Sequence, residues 1–100
     1  MPNGYKIRWL RTALKNLEDE AAYIAQDNPH ASKELVNRVF DIVDTLAENP
    51  AIGRPGRVPG TRELVVAGTP YLIPYRVKGR SVEILRVFHG SRRWPSRFDD

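Results

Sequence analysis

One hundred residues, 41% hydrophobic and 28% charged, make an ordinary globular composition with enough chain for one modest core. No apolar run nears the ~20 residues of a membrane-crossing helix, and Met1-Pro-Asn-Gly-Tyr-Lys6 lacks the apolar segment of a secretory leader. Cysteine is absent, which excludes disulfide and thiolate chemistry and gives cytoplasm as the expected compartment.

The net charge is +4 and unevenly spread. Residues 1–60 hold eight basic and eight acidic side chains. Residues 61–100 hold Arg62, Arg76, Lys78, Arg80, Arg86, Arg92, Arg93 and Arg97 against Glu63, Glu83, Asp99 and Asp100. A basic C-terminal part suits a polyanion or an acidic protein partner, or else a solvated surface that serves solubility.

In chain order, Tyr5-Lys-Ile-Arg-Trp9 alternates with period two, which predicts a short strand with Tyr5, Ile7 and Trp9 on one face. Thr12 is a candidate N-cap, and Leu14, Leu17, Ala21 and Ile24 form the stripe of a helix over Ala13 to Gln26. Asn28-Pro29 pairs a capping residue with a proline in the first helical position. A second helix follows to about Glu48, with Leu35, Val36, Val39, Phe40, Val43, Leu46 and Ala47 as its apolar side. The short break predicts an antiparallel helical hairpin, and the helix carboxylates read as a solvated face.

Ala51 to Gly60 has three glycines and two prolines, so a loop without regular structure is expected there, carrying Arg54 and Arg57. No Gly-Lys-Ser/Thr follows, so it is no phosphate-cradling P-loop. Three strands are then expected. The first is Arg62 to Ala67. The second is Tyr71 to Val77, with Pro74 requiring a bulge or an unpaired side. The third is Val82 to Phe88, apolar on both faces as a central strand would be. The predicted class is α+β in the order β-α-α-β-β-β: one domain over 1–100, a helical hairpin packed on one face of a small, twisted, mostly antiparallel sheet, with 89–100 as a basic tail. His30 and His89 lie too far apart to make a zinc site alone, so neither metal nor cofactor is expected.

That order resembles the RelE/ParE superfamily of toxins from bacterial toxin–antitoxin modules, across nearly the whole chain. The resemblance is carried by Ile7-Arg-Trp9 with Ala13 and Leu17, by Asn28-Pro-His-Ala31, Leu46-Ala-Glu-Asn-Pro50 and Gly53-Arg-Pro-Gly56, and by Val58-Pro-Gly-Thr-Arg-Glu-Leu-Val-Val66. Tyr75-Arg-Val77 and Val82-Glu-Ile-Leu-Arg-Val-Phe-His89 with Arg92 complete it. It implies one of two activities. RelE-like members cut mRNA in the ribosomal A site, and ParE-like members are not nucleases, several of them poisoning DNA gyrase. A metal-free ribonuclease must activate a 2′-hydroxyl, stabilise the charged phosphorane and protonate the leaving oxygen. RelE-like members do so with clustered Lys and Arg and a C-terminal Tyr or His.

Here Leu72 stands where those members carry an arginine, Gly90 follows His89 where they carry a base, and no tyrosine lies beyond Tyr75. The expectation is therefore a ParE-like toxin with gyrase as first candidate target, and not an enzyme. The alternatives are a RelE-like ribosome-dependent endonuclease using His89 and Arg92, and a non-toxic nucleic-acid-binding module. Target-binding candidates are Arg54, Arg57, Arg62, Arg76, Arg86, Arg92, Arg93 and Trp94; His89 is catalytic only in the nuclease reading and otherwise structural. The resemblance also implies a hetero-oligomer with a cognate antitoxin, an acidic or amphipathic segment that folds on binding where the hairpin meets the sheet. Leu14, Leu17, Val36 and Phe40 are candidates for that groove or for ordinary core.

Overall fold

A computed structural model describes residues 4–91 and 93–98. Its elements are β1 (Lys6–Trp9), α1 (Arg11–Ala25), α2 (Pro29–Asp44) running into a 3-10 turn (Thr45–Ala47), β2 (Arg54–Pro55), β3 (Arg62–Val65), β4 (Tyr71–Lys78), β5 (Ser81–Ile84) and β6 (Phe88–His89). The expected α+β order is present, with the two-residue strands β2 and β6 added. The sheet order is β1-β5-β4-β3-β2, with β6 also on β4, and β1 runs parallel to β5 while the other pairings are antiparallel.

The hairpin break is held as the sequence suggests: Asn28 Oδ1 accepts from the Ala31 N–H at 3.0 Å and Pro29 opens α2. The start of α1 differs from expectation. The helix begins at Arg11, and Leu10 takes the cap position without a side-chain cap. Its N–H donates to Ile84 O and its side chain is buried. Tying the strand end to the sheet and burying Leu10 outweigh a Thr12 hydroxyl cap.

Ala13 and Leu17 of α1, and Leu35, Val39 and Val43 of α2 with Leu46, close over Leu64, Val66, Tyr71, Ile73, Tyr75, Val82, Ile84 and Val87. The helices cover this one face. A second, smaller cluster lies on the opposite face: Leu10, Val58, Leu85, Phe88 and Phe98, with Trp94 against it.

The predicted continuous strand from Val82 to Phe88 is instead interrupted, which is how the chain serves both clusters. Tyr75 pairs with Ile84, and Leu72 with Phe88, so three steps on β4 face four on its neighbour. Leu85 and Arg86 together oppose Pro74, whose carbonyl accepts from Leu85 N–H at 3.0 Å. That is a β-bulge of one extra residue, on the side where proline has no N–H to offer. It turns Val87 to the helical face and Phe88 to the other. The Val87 N–H reaches Asn16 Oδ1 of α1 at 3.2 Å, so the helix satisfies a donor that the ladder does not. The turn between β4 and β5 has two residues, and Gly79 at φ 61 supplies the first position of a type II′ turn.

Candidate functional site

The face of the sheet away from the helices carries most of the cations predicted to meet a target. Two buried carboxylates organise it. Glu63 is 2% exposed and sits opposite both Arg54 and Pro74. Its Oε1 accepts from Arg54 Nε at 3.3 Å and Nη2 at 3.1 Å, and its Oε2 from the Arg57 N–H at 2.8 Å, with Arg57 Nε 3.6 Å away. Arg62 Nη1 donates to Gly53 O at 2.8 Å and Ala51 O at 3.3 Å. The Tyr75 hydroxyl accepts from Gly53 N–H and donates to Pro50 O, both at 2.8 Å. The segment 50–57 is thus pinned at several points, and the expected irregular loop contains the short strand β2.

Glu83 is the second buried carboxylate. Arg76 Nε donates to it at 2.7 Å from one side and Arg8 Nη1 at 3.1 Å from the other. The Arg76 hydrogen bond holds its carboxyl below the ordinary value of 4.5, against the opposing effect of burial, and the Arg8 and Lys78 charges add to the lowering. A depressed carboxylate contributes stability above its unfolded pKa and loses it as pH falls through the folded one. We expect acid unfolding of Glu83→Gln to be flatter than that of the wild type below pH 4.5, with lower stability at pH 7. Urea melts between pH 7 and 3 check this; parallel curves would mean that Glu83 is not linked to folding.

The other candidates are distributed as follows. Arg86 donates from Nη1 to Leu85 O at 2.6 Å and lies 5.1 Å over the Phe98 ring. Trp94 stands edge-on to Phe88 at 5.2 Å with Arg57 laid over it at 4.2 Å, and its Nε1 is buried without a partner. Arg93 is exposed, and Arg92 lies outside the described residues. His89 meets Tyr71 edge-on at 5.6 Å. The Ser91 N–H points at its Nδ1 from 3.2 Å and the Ser91 hydroxyl lies 2.8 Å away, which in the neutral ring places the proton on Nε2. The Tyr71 hydroxyl donates to Glu20 Oε1 at 2.8 Å, and burial followed by that bond pushes its pKa to about 12.

Of the groove candidates, Leu17 is buried in the main core, Val36 is half-buried, and Leu14 and Phe40 are exposed at 44% and 38%. Phe40 stacks on Trp9 at 5.0 Å. A different groove runs along the flank of α2 against β3 and the turn after it, in cavities of about 340, 260 and 310 Å³. Ile24, Leu35, Ile42, Ile52 and Val66 line it, with Arg38 and Asp41. It lies where the hairpin meets the sheet and is lined by residues other than the four candidates; sequence reading also missed Lys6, Arg8 and Lys78 beside the predicted cations. The alternation in β1 was the available signal for Lys6 and Arg8, which fall on the face opposite Ile7 and Trp9.

No helix among the described residues is long and apolar enough to cross a membrane. Comparison with known proteins agrees with this architecture. Y4kP of Sinorhizobium fredii, which carries a toxin name, is 52% identical over 90 residues, 90% of this chain and 93% of that protein. Toxin RelE2 of Caulobacter vibrioides is 37% identical over 87% of this chain and 97% of its own. A solved chain of the chromosomal ParDE TA system from P. aeruginosa superposes with a TM-score of 0.79 at 29% identity, covering 87% of this chain and 97% of that one. The profile of the family described as ParE toxin of type II toxin–antitoxin system, parDE, matches residues 7–94, and the chain belongs to that family of toxins.

Proposed function

We propose that this toxin arrests growth in the cytoplasm by a non-hydrolytic route, acting on a protein target with DNA gyrase as first candidate, and that a cognate antitoxin neutralises it. The environment of His89 carries this reading. Acid–base cleavage of RNA needs a base and an acid within reach of one phosphate. His89 has its Nδ1 turned to Ser91, and the phenol beside it is tied to Glu20 with a pKa near 12. Arg54, Arg57, Arg62 and Arg76 are engaged in holding the fold. Such a surface binds and orients, and it has little means of moving protons.

The antitoxin reading rests on the apolar ground around α2. The cavities toward β3 and the exposed Leu14, Phe40, Ile52 and Val65 suit an amphipathic segment that folds on docking. Val36 packs half-buried against the main core, to which Leu17 belongs.

A second reading, ribosome-dependent mRNA cleavage, is favoured by the relative named RelE2. One experiment separates the two: gyrase supercoiling with antitoxin-free toxin, run beside cleavage of ribosome-bound mRNA. We expect lost supercoiling with trapped cleaved DNA, and His89→Ala retaining toxicity. Intact supercoiling together with cut mRNA that His89→Ala and Arg92→Ala abolish would replace the first reading by the second.

A further inference from the structure

The charges of this molecule separate by layer more sharply than by sequence position. Residues 11–48, which hold both helices, carry four basic and eight acidic side chains. The other described residues, strands and connections, carry eleven basic and two acidic. On the sheet face opposite the helices the cations form an ordered array. Lys6 and Lys78 flank Ser81 in one row, and Arg8 and Arg76 flank Glu83 in the next. The alternation of β1, β5 and β4 puts all six on that face, because Ile7, Val82, Ile84 and Tyr75 belong to the core beneath the helices.

The array is rigid. Glu83 is 4% exposed and holds a guanidinium on each side, while the Lys6, Arg8 and Lys78 side chains stand in solvent. Across three strands the outer columns are roughly 10 Å apart, and along each strand the two cations are roughly 7 Å apart. We propose that this face is a docking surface for the phosphate backbone of duplex DNA.

Three features select that occupant. The array holds four cations to one carboxylate, which matches a duplex bearing one negative charge per ~1.7 Å of its axis. The aromatic rings of this side, Phe88, Trp94 and Phe98, are packed on one another, so no stacking platform for unpaired bases is offered. An acidic peptide would add to the open edge of β1 or enter side-chain pockets. The array instead spans β1, β5 and β4, and the α2 cavities lie on the helical side. The proposal deepens the toxin reading by placing DNA beside the protein target.

Its test uses the antitoxin-free full chain and a fluorescein-labelled duplex, with anisotropy read from 50 mM to 300 mM salt, so that its outcome is separate from that of any gyrase assay. Lys6→Glu with Lys78→Glu is compared with Lys15→Glu with Lys33→Glu, two exposed helical lysines whose reversal changes the net charge equally. Loss of two phosphate contacts predicts affinity down on the order of fiftyfold at 0.1 M salt and a salt slope shallower by about 2 for the sheet pair, with the helix pair close to wild type. Absence of duplex binding at 50 mM salt overturns the proposal. So does equal weakening by both pairs, tighter binding of single-stranded DNA, or competition by poly-glutamate as effective as that of duplex.

Discussion

Deleting Val87 should abolish the native fold, while deleting its neighbour Arg86 should cost about 2 kcal/mol or less. The Arg86 side chain makes a bond to Leu85 O and a cation–π contact with Phe98, each worth about a kilocalorie at most in a half-exposed setting. Its backbone is the extra residue of the bulge opposite Pro74, so removing it leaves Leu85 alone against Pro74 and keeps Val87 and Phe88 on their present faces. Deleting Val87 has no such outlet. Either the bulge stays and Phe88 moves to the helical face, or the bulge is absorbed and Arg86 takes the place of Val87 in the main core; Val87 and Phe88 are both almost fully buried now.

The strand cannot escape by slipping, since the two-residue turn at Gly79 fixes its other end. The expected loss exceeds ~5 kcal/mol, comparable to the whole stability of a domain this size. Circular dichroism and urea melts of the two variants decide the matter. A Val87 deletion that melts like the wild type, or an Arg86 deletion that fails to fold, would show that the one extra residue does not set the facing of this strand.

The bulge also marks where sequence reading stops. Signals that act over a few residues were legible. Asn28-Pro29 restarts a helix through one side-chain bond, and Gly79 turns a hairpin. Proline in the middle of β4 announced a fault in the ladder, though not that its neighbour would carry the extra residue. Alternation in β1 predicted a strand but could not name its partner, because the parallel pairing to β5 joins residues some 75 positions apart, and no local pattern encodes that.

The candidate site was legible as charge and not as geometry. Arg54, Arg57 and Arg62 read as free cations on a stiff loop, and only the folded chain brings Glu63 and the carbonyls of residues 51 and 53 to them. Leu14 and Leu17 share a helical stripe in sequence, yet one is exposed and the other buried, since helix position against the sheet sets which part of a stripe is covered. The basic excess looked C-terminal. It belongs to the sheet side of the molecule, to which β1 contributes Lys6 and Arg8 from the other end of the chain.

Tyr75→Phe should be the most damaging single-atom change in the molecule. Tyr75 is fully buried, and its hydroxyl is both the acceptor for Gly53 N–H and a donor to Pro50 O. Phenylalanine keeps the ring and leaves both groups without that partner, at about 1–3 kcal/mol for each buried group so stranded. Water cannot readily replace the hydroxyl, because Gly53 sits so close that even a Cβ there would lie 2.6 Å from the Tyr75 ring. The expected total of about 2–4 kcal/mol corresponds to a fall in Tm of roughly 10–20 °C for a chain of this length.

Arg54→Ala provides the contrast. It removes one guanidinium from Glu63, but the Arg54 side chain is 52% exposed and the Arg57 N–H remains on the carboxylate. Screening by solvent limits its cost to about 1 kcal/mol. Thermal melts should therefore rank Tyr75→Phe well below Arg54→Ala. Because Gly53 leads directly into Arg54 and Arg57, the same hydroxyl fixes where these arginines stand. A toxin that loses potency with Tyr75→Phe at temperatures where it remains folded would tie the buried bond to the presentation of that cationic loop; equal Tm values for wild type and Tyr75→Phe would show that the loop is held by its arginines alone.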